Sequence, residues 1–157
     1  MPVRFNLSRG RAMAKYSIWN TGAGAVTLSV RALRPFVMST RLSLIANGVV
    51  IPLVGTTNSG IDDYALDAAI VSQLRSAPTS TNPPSLLFSC GAIYHPGAPD
   101  RKWGWGMRVS RAGTVLPCVD ENGAALPLDS KGFRQTSLRT FPAGKNVTAG
   151  LDLITFI

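Results

Sequence analysis

The one histidine of the chain, His95, is the residue best suited to acid–base chemistry. As a general base it would need a nucleophile and an orienting carboxylate within hydrogen-bonding distance. Ser89 and Asp100 are near it in sequence, but no nucleophile-elbow motif surrounds a serine. A lone histidine in the Tyr-His-Pro-Gly segment 94–97 is typical of a turn, so no catalytic residue is predicted.

Metal and cofactor chemistry have equally little support in the sequence. Cys90, His95, Asp100 and Cys118 could supply zinc ligands, but their spacing matches no compact ligand pattern. The two cysteines form neither a disulfide framework nor a Cys-x-x-Cys pair, so both are interpreted as small buried hydrophobic residues. The glycines in 22–24 and 104–106 complete no nucleotide-binding motif. The sequence predicts no metal and no cofactor.

Paired carboxylates for general acid–base work are also scarce. The one glutamate, Glu121, falls in a predicted hairpin turn. Asp62 and Asp63 are adjacent, but they are better placed to cap a helix than to act as an acid–base pair. We therefore predict that the protein is not an enzyme.

The positive charge is concentrated in the first third of the chain. The net charge is +8 and the pI is near 10.3. Seven basic residues and no acidic residue precede Asp62, whereas the remaining nine basic residues are nearly balanced by eight acidic ones. Such a pattern indicates an arm or edge that faces phosphate or an acidic protein surface, and the alternative is a solvated basic face. The candidate assembly or phosphate contacts are Arg4, Arg9, Arg11, Lys15, Arg31, Arg34 and Arg41.

A second candidate surface combines aromatic and basic side chains. Trp103 and Trp105 fall on one face of a predicted strand, and cations that can neutralise phosphate surround them, as in proteins that stack single-stranded bases. The alternative, which we favour, is that both tryptophans fill the core and the cations face solvent. The candidate patch consists of Trp103, Trp105, Arg101, Lys102 and Arg108.

Alternation of apolar and polar residues predicts strands. It is clearest in Ala25–Leu33 and in Trp103–Ser110, where every second residue is apolar. Two Asn-Gly pairs, at 47–48 and 122–123, predict tight hairpins. The first turn is expected to join strands at 41–45 and 49–53, and the second to join strands at 114–119 and 124–128. The second strand of each hairpin ends in Pro-Leu, which places its proline at a sheet edge or a strand end.

The remaining segments complete the expected fold. One helix is predicted at about 61–75, with Asp62 and Asp63 at its beginning, and Val147–Ile157 is expected to form a closing strand. Ser76–Ser85 and His95–Lys102 are predicted loops. About eight strands and one helix predict an all-β fold, a β-sandwich or jelly-roll-like barrel. A basic arm is assigned to 1–16 and one β-rich domain to 17–157.

The chain shows neither a membrane span nor a secretion signal. Its longest apolar runs, Val49–Ile51 and Leu151–Ile157, are far shorter than the roughly 20 residues that a span requires. The start has no charged region followed by an apolar one, so a cytosolic product without membrane contact is expected.

Taken together, the cationic arm, the Asn-Gly hairpins and the Ser/Pro-rich loops make the chain resemble small all-β virion structural subunits of tailed phages, either capsid-decoration or tail-associated proteins. The resemblance implies a homo-oligomer without a small-molecule substrate, assembled in the host cytoplasm. Its partners would be copies of itself and other capsid or tail proteins, bound through termini and edge strands. Two alternatives remain: a basic module that binds nucleic acid, and a fimbrial-type adhesive subunit, whose closing strand the segment 141–157 resembles.

Overall fold

The computed structural model describes residues 14–18, 22–33, 38–75, 84–92, 101–119, 124–135, 139–141 and 150–156. These residues form thirteen strands and one helix. The strands are β1 Ala14–Ile18, β2 Val26–Leu33, β3 Met38–Ala46, β4 Val49–Pro52, β5 Thr56–Asn58, β6 Ile61–Leu66, β7 Ser85–Ala92, β8 Arg101–Arg111, β9 Thr114–Val115, β10 Cys118–Val119, β11 Arg134–Gln135, β12 Arg139–Phe141 and β13 Gly150–Phe156, and the helix is α1 Ala68–Arg75.

The strands build two sheets. The first has six strands in the order β10-β1-β13-β7-β3-β4. The second has seven strands: five follow the order β11-β8-β2-β6-β5, and β9 and β12 also pair with β8. Among the described strands, the β1–β13 pair is parallel and every other pair is antiparallel. The predicted all-β fold is confirmed.

One apolar core joins the two sheets. In β2 the side chains of Val26, Leu28 and Val30 are almost completely buried, as the alternation predicts, and the paired strand β8 adds Met107 and Val109. The same cluster contains side chains of the six-stranded sheet. Each sheet therefore buries one face against the other, which is the arrangement of a sandwich. The contributions of the six-stranded sheet to this core are Leu42, Leu44, Leu86, Phe88, Cys118, Ile154 and Phe156.

Three hairpins share one kind of turn. In each, a non-glycine residue at φ near 50° is followed by a glycine at φ near 80°. Two consecutive positive φ values define the type I′ turn, whose twist matches that of the flanking strands. The predicted hairpin at 47–48 is confirmed, whereas the turns at Ser59-Gly60 and Ala112-Gly113 were not predicted because they lack asparagine. The predicted turn at 122–123 lies outside the described residues.

The predicted helix at 61–75 is wrong over its first half. Ile61–Leu66 is strand β6, and the helix begins only at Ala68. Asp62 lies opposite Val30 of β2, and its carboxylate accepts a hydrogen bond from the Thr57 hydroxyl at 2.7 Å. The capping residue is Asp67, whose carboxylate accepts a hydrogen bond from the Ile70 backbone N–H at 2.8 Å.

The later strands also differ from the prediction. The expected strand 114–119 is divided into β9 and β10, which belong to different sheets. Pro117 lies between them and has no N–H to donate, so the ladder cannot continue there. The expected strand 124–128 forms only an isolated bridge at Ala125. The count of about eight strands was too low because short strands such as β5, β11 and β12 carry little alternation.

The first and the last of the described strands pair with each other in the six-stranded sheet. Strand β1 pairs with the closing strand β13 in parallel, from Ala14 opposite Asp152 to Ile18 opposite Phe156. The closing strand predicted for 147–157 is thus present at 150–156. Residues 14–16 of the predicted basic arm belong to this paired strand, and 1–13 lie outside the described residues. Most of both predicted loops also lies outside them, although Ser85 already belongs to β7, and Arg101 and Lys102 to β8.

Removing the helix cap tests the corrected helix boundary. We expect Asp67→Ala to lower the free energy of unfolding by about 1 kcal/mol, because the Ile70 N–H loses its acceptor. Asp67→Asn is the control, since asparagine caps as well as aspartate and should retain wild-type stability within about 0.3 kcal/mol. Urea unfolding measures both. Equal stability of Asp67→Ala and the wild type would contradict the assignment.

Candidate assembly interface

Strand β4 forms one edge of the six-stranded sheet. It pairs with β3 from Ala46 opposite Val49 to Ser43 opposite Pro52, and the Leu53 N–H continues the ladder to the Leu42 carbonyl at 2.9 Å. No strand of the described part of the chain pairs with its other side. The predicted position of Pro52, at a sheet edge and a strand end, is confirmed.

The register fixes which backbone groups this edge presents. In an antiparallel pair, alternate residues direct both N–H and C=O toward the partner strand. Because Leu53 bonds to Leu42 of β3, Val49 and Ile51 also face β3, while Val50 and Pro52 face away. Proline has no N–H. The free side of β4 therefore presents the N–H and C=O of Val50 and only the C=O of Pro52.

Three large apolar side chains are exposed along or beside this strand. Val49 is 57% exposed, Ile51 45% and Val54 93%. Val49 and Ile51 share a face with their partners on β3, Ala46 and Leu44, which contact the core. The core-facing side of the sheet thus continues onto β4, but its side chains are exposed there. We call Val49, Val50, Ile51, Pro52 and Val54 the β4 edge.

The chain passes from the six-stranded sheet to the seven-stranded sheet directly after β4. Only 53–55 separate β4 from β5, which forms an edge of the seven-stranded sheet. Three residues span roughly 10 Å, about the distance between packed sheets, so the two edges lie on the same side of the sandwich. A side chain on Gly55 would clash with the Tyr64 ring, which lies 2.7 Å from the position of such a Cβ. The backbone therefore passes close to the Tyr64 ring at this crossing.

The β4 edge also lies in an uncharged stretch of sequence. The twenty residues from Leu42 to Ile61 contain no Asp, Glu, Lys or Arg. Natural sheet edges are usually protected from pairing by charges, prolines, bulges or covering segments. Here the strand has no charge and its proline removes one donor at the end. An apolar, uncharged and unpaired edge is suited to pairing with another strand.

On the other side of the molecule, the seven-stranded sheet carries a second distinctive group, the outer-face cluster of Arg31, Arg108, Asp129 and Phe133. The Arg31 and Arg108 guanidinium carbons each lie 4.4 Å from the centre of the Phe133 ring, which is fully buried. Arg108 also donates a hydrogen bond to the Lys131 carbonyl at 3.1 Å. The two cations hold the segment around Phe133 against the sheet.

Asp129 completes this cluster. Its carboxylate forms a salt bridge with Arg31 and accepts hydrogen bonds from the backbone N–H groups of Lys131 and Phe133, both at 2.9 Å. The hydrogen bond from Arg31, followed by that from the Phe133 N–H, lowers the pKa of Asp129 from 3.8 to about 2. The carboxylate therefore stays ionised over the ordinary pH range and fixes the turn that carries Phe133.

The cluster brings together one cation from each surface that the sequence predicted. Arg31 came from the basic first third and Arg108 from the aromatic and basic patch, and both are engaged within the chain. Sequence reasoning missed Asp129 and Phe133, although an Asp-x-Lys-Gly-Phe turn signal was present.

The other predicted contact residues are placed less completely. Arg41 is exposed on β3. Lys15 lies on β1, and four patch residues lie on β8, but their side chains are outside the described part of the structure. These four patch residues are Arg101, Lys102, Trp103 and Trp105. Arg4, Arg9, Arg11 and Arg34 lie entirely outside the described residues.

Arg111 is a further residue that sequence reasoning did not select. It follows Ser110 on β8 and lies on the core-facing side of the strand, the same side as the buried residues Met107 and Val109, which occupy every second position before it. Its Nε and Nη2 atoms are buried without a hydrogen-bond partner. Gly22, at φ +66°, lies directly over it, and a Cβ there would be 2.7 Å from Nη1. The guanidinium thus contributes to the packing of the 22–24 turn.

An open cleft of about 330 Å³ lies beside the start of α1 and is lined by Thr27, Ser110 and Asp67, of which Asp67 caps the helix. Within the described ranges, no three His, Cys, Asp or Glu side chains lie close enough together to hold a metal ion. His95 and Asp100 lie outside those ranges.

Cys118 is buried and unpaired, as predicted. Burial raises the pKa of its thiol, and the nearby positive charge of Arg134 opposes that rise. The thiol form is therefore favoured, which makes Cys118 an unreactive core residue. The side chain of Cys90, on β7, is outside the described part.

None of the described helical residues forms a segment long and apolar enough to cross a membrane. Comparisons of the chain with protein-family models, with curated proteins and with solved structures each found no match.

The pKa of Asp129 predicts a pH-dependent contribution to stability. The folded pKa of about 2 is below the ordinary value of 3.8, so the ionised carboxylate stabilises the fold above about pH 4 and loses this effect as the pH falls through 2. We expect the difference in unfolding free energy between wild type and Asp129→Asn to shrink between pH 5 and about pH 2. Chemical denaturation across this range measures the difference. A constant difference would contradict the ion pair.

A double-mutant cycle tests the contact between Arg108 and the Phe133 ring. We expect a coupling energy of about 0.5–1 kcal/mol between Arg108→Met and Phe133→Leu, because each variant removes one partner of the cation–π pair. Phe88→Leu is the matched control: Phe88 is equally buried but belongs to the other sheet, so its coupling to Arg108→Met should be near zero. Equal coupling in both cycles would refute the contact.

Proposed function

We propose that the chain is a non-enzymatic structural subunit of a virion-like assembly, which binds copies of itself and neighbouring capsid or tail proteins through edge strands. The observation that carries the proposal is the β4 edge: a strand whose outer side pairs with no other described strand, whose exposed side chains are apolar and which lies in an uncharged stretch of twenty residues. Such an edge offers backbone hydrogen bonds and apolar contact at the same place.

The chemistry of the β4 edge favours a protein partner over other occupants. Val49, Ile51 and Val54 offer no hydrogen-bonding side chain and no charge, so phosphate and other polar ligands gain nothing there. A strand from a second chain satisfies the free Val50 backbone groups and removes the apolar side chains from water. Exposed apolar surface of this kind is typical of sites where proteins meet.

The virion setting rests on the resemblance and on the distribution of charge. Seven cations precede Asp62, and Arg41, the last of them, is exposed on β3 beside the β4 edge. A shell or tail subunit can use such cations toward acidic neighbours or packaged nucleic acid. In this proposal the protein is assembled in the host cytoplasm and resides in the particle.

A charge placed in the β4 edge tests the proposal. We expect the wild-type protein to form oligomers whose average mass rises with concentration, and Ile51→Lys to remain monomeric. Leu128→Lys is the matched control, since Leu128 is similarly exposed, at 41% against 45%, but precedes Asp129, which is bonded to Arg31 of the seven-stranded sheet. Light scattering coupled to size-exclusion chromatography measures the masses, and circular dichroism checks that both variants fold.

Two outcomes would count against the structural role. A wild-type chain that stays monomeric up to millimolar concentration, with or without candidate partner chains, would refute it. Binding to DNA or RNA that weakens steeply with added salt, without any oligomer, would support the nucleic-acid alternative in its place.

A further inference from the structure

We propose that the partner at the β4 edge is a second copy of this chain, paired antiparallel with a two-fold axis at Val50, so that two six-stranded sheets join into one of twelve strands. This inference rests on the proposed structural role and specifies its first contact. A two-fold contact is self-complementary, because the same patch serves both subunits.

The hydrogen-bonding groups of the free edge select this register. With the axis at Val50, each Val50 N–H donates to the Val50 carbonyl of the other copy, so both groups of both residues are satisfied. Shifting the axis to Ile51 places each Val50 opposite a Pro52, which leaves both Val50 carbonyls without a donor. Shifting it to Pro52 leaves the central pair with no donor at all. Pro52 therefore restricts the pairing to the register centred on Val50.

The side chains agree with the same register. A two-fold axis perpendicular to the sheet keeps each face on its own side, so Val49 of one copy lies opposite Ile51 of the other. These are non-hydrogen-bonded pairs, in which the Cα atoms approach to about 4.5 Å and the side chains are closest. Two such pairs cover side chains that are 57% and 45% exposed in the single chain. They extend the core-facing side of each sheet into the other.

The distribution of charge permits two copies to meet here. Each chain carries a net charge of +8, but Leu42 to Ile61 contributes none of it. No charged side chain of β4 is therefore brought against its own copy. The remaining repulsion acts between more distant cations, and salt screens it beyond a Debye length of about 8–10 Å. Added salt should therefore maintain or strengthen the dimer, which is the opposite of its effect on nucleic-acid binding.

Amide hydrogen exchange of the wild-type protein measures the contact directly. We expect the Val50 amide to exchange freely at low concentration and to become protected as the concentration rises. The Ile51 amide, which bonds to β3, should be protected at every concentration and serves as the internal control. Sedimentation velocity on the same samples should show conversion of monomer to dimer over the same concentration range.

A proline substitution provides the second arm. We expect Val50→Pro to abolish the dimer while leaving the thermal midpoint of the monomer within a few degrees, because the N–H that it removes faces away from β3. Val50→Thr keeps the N–H and the branched side chain, and should dimerise like the wild type. Should Val50→Pro fail to fold, the exchange of the wild-type amide decides alone.

The outcomes separate this inference from the function on which it rests. A chain that assembles while its Val50 amide exchanges at the unprotected rate, or a folded Val50→Pro that assembles normally, would overturn the Val50-centred pair and leave the structural role in place. A chain that is monomeric at every concentration tested, with its Val50 amide always unprotected, would overturn both.

Discussion

The two sheets are held together by apolar side chains that alternate along their strands and form one shared core. Val26, Leu28 and Val30 of β2 face the core, and their partners on β8 do the same, so one row of contacts runs across the sheet. Burying such rows between two sheets supplies most of the free energy that opposes chain entropy. In the six-stranded sheet, the core-facing side continues from Leu44 of β3 to Ile51 of β4, which is 45% exposed. Ile51 therefore has the orientation of a core residue and the exposure of a surface residue.

The outer face of the seven-stranded sheet shows how cations can be used inside a fold. Arg31 and Arg108 lie on neighbouring strands, and both guanidinium groups lie over the Phe133 ring. Asp129 neutralises one of them and also fixes the turn through two backbone N–H groups. Basic residues in the sequence are thus divided between intramolecular contacts and free surface.

The sandwich and the β4 edge arise from the same strand geometry. The two-residue turn at 47–48 folds β4 back onto β3 and sets which of its backbone groups face outward. The outward groups belong to Val50 and Pro52, and the proline both limits the edge and restricts the registers in which another strand can pair. An edge that is apolar and uncharged is suited to pairing with another strand, and its one proline restricts the registers in which such pairing satisfies the backbone groups.

The sequence by itself determined what depends on near neighbours. The alternation in 25–33 and 103–110, the turn at 47–48, the edge position of Pro52 and the all-β class follow from local pattern, and they are found in the structure. The prediction from local pattern was wrong at 61–66, because Asp62 and Asp63 resemble the start of a helix. Pairing with β2 stabilises a strand there instead, and Asp67 caps the helix that follows. The tertiary structure alone decided that Arg31 meets Asp129, 98 residues away, and that β4 rather than another strand forms the edge of its sheet. Both depend on strand order and register, which are set by the burial of whole sheet faces and leave no mark on adjacent residues.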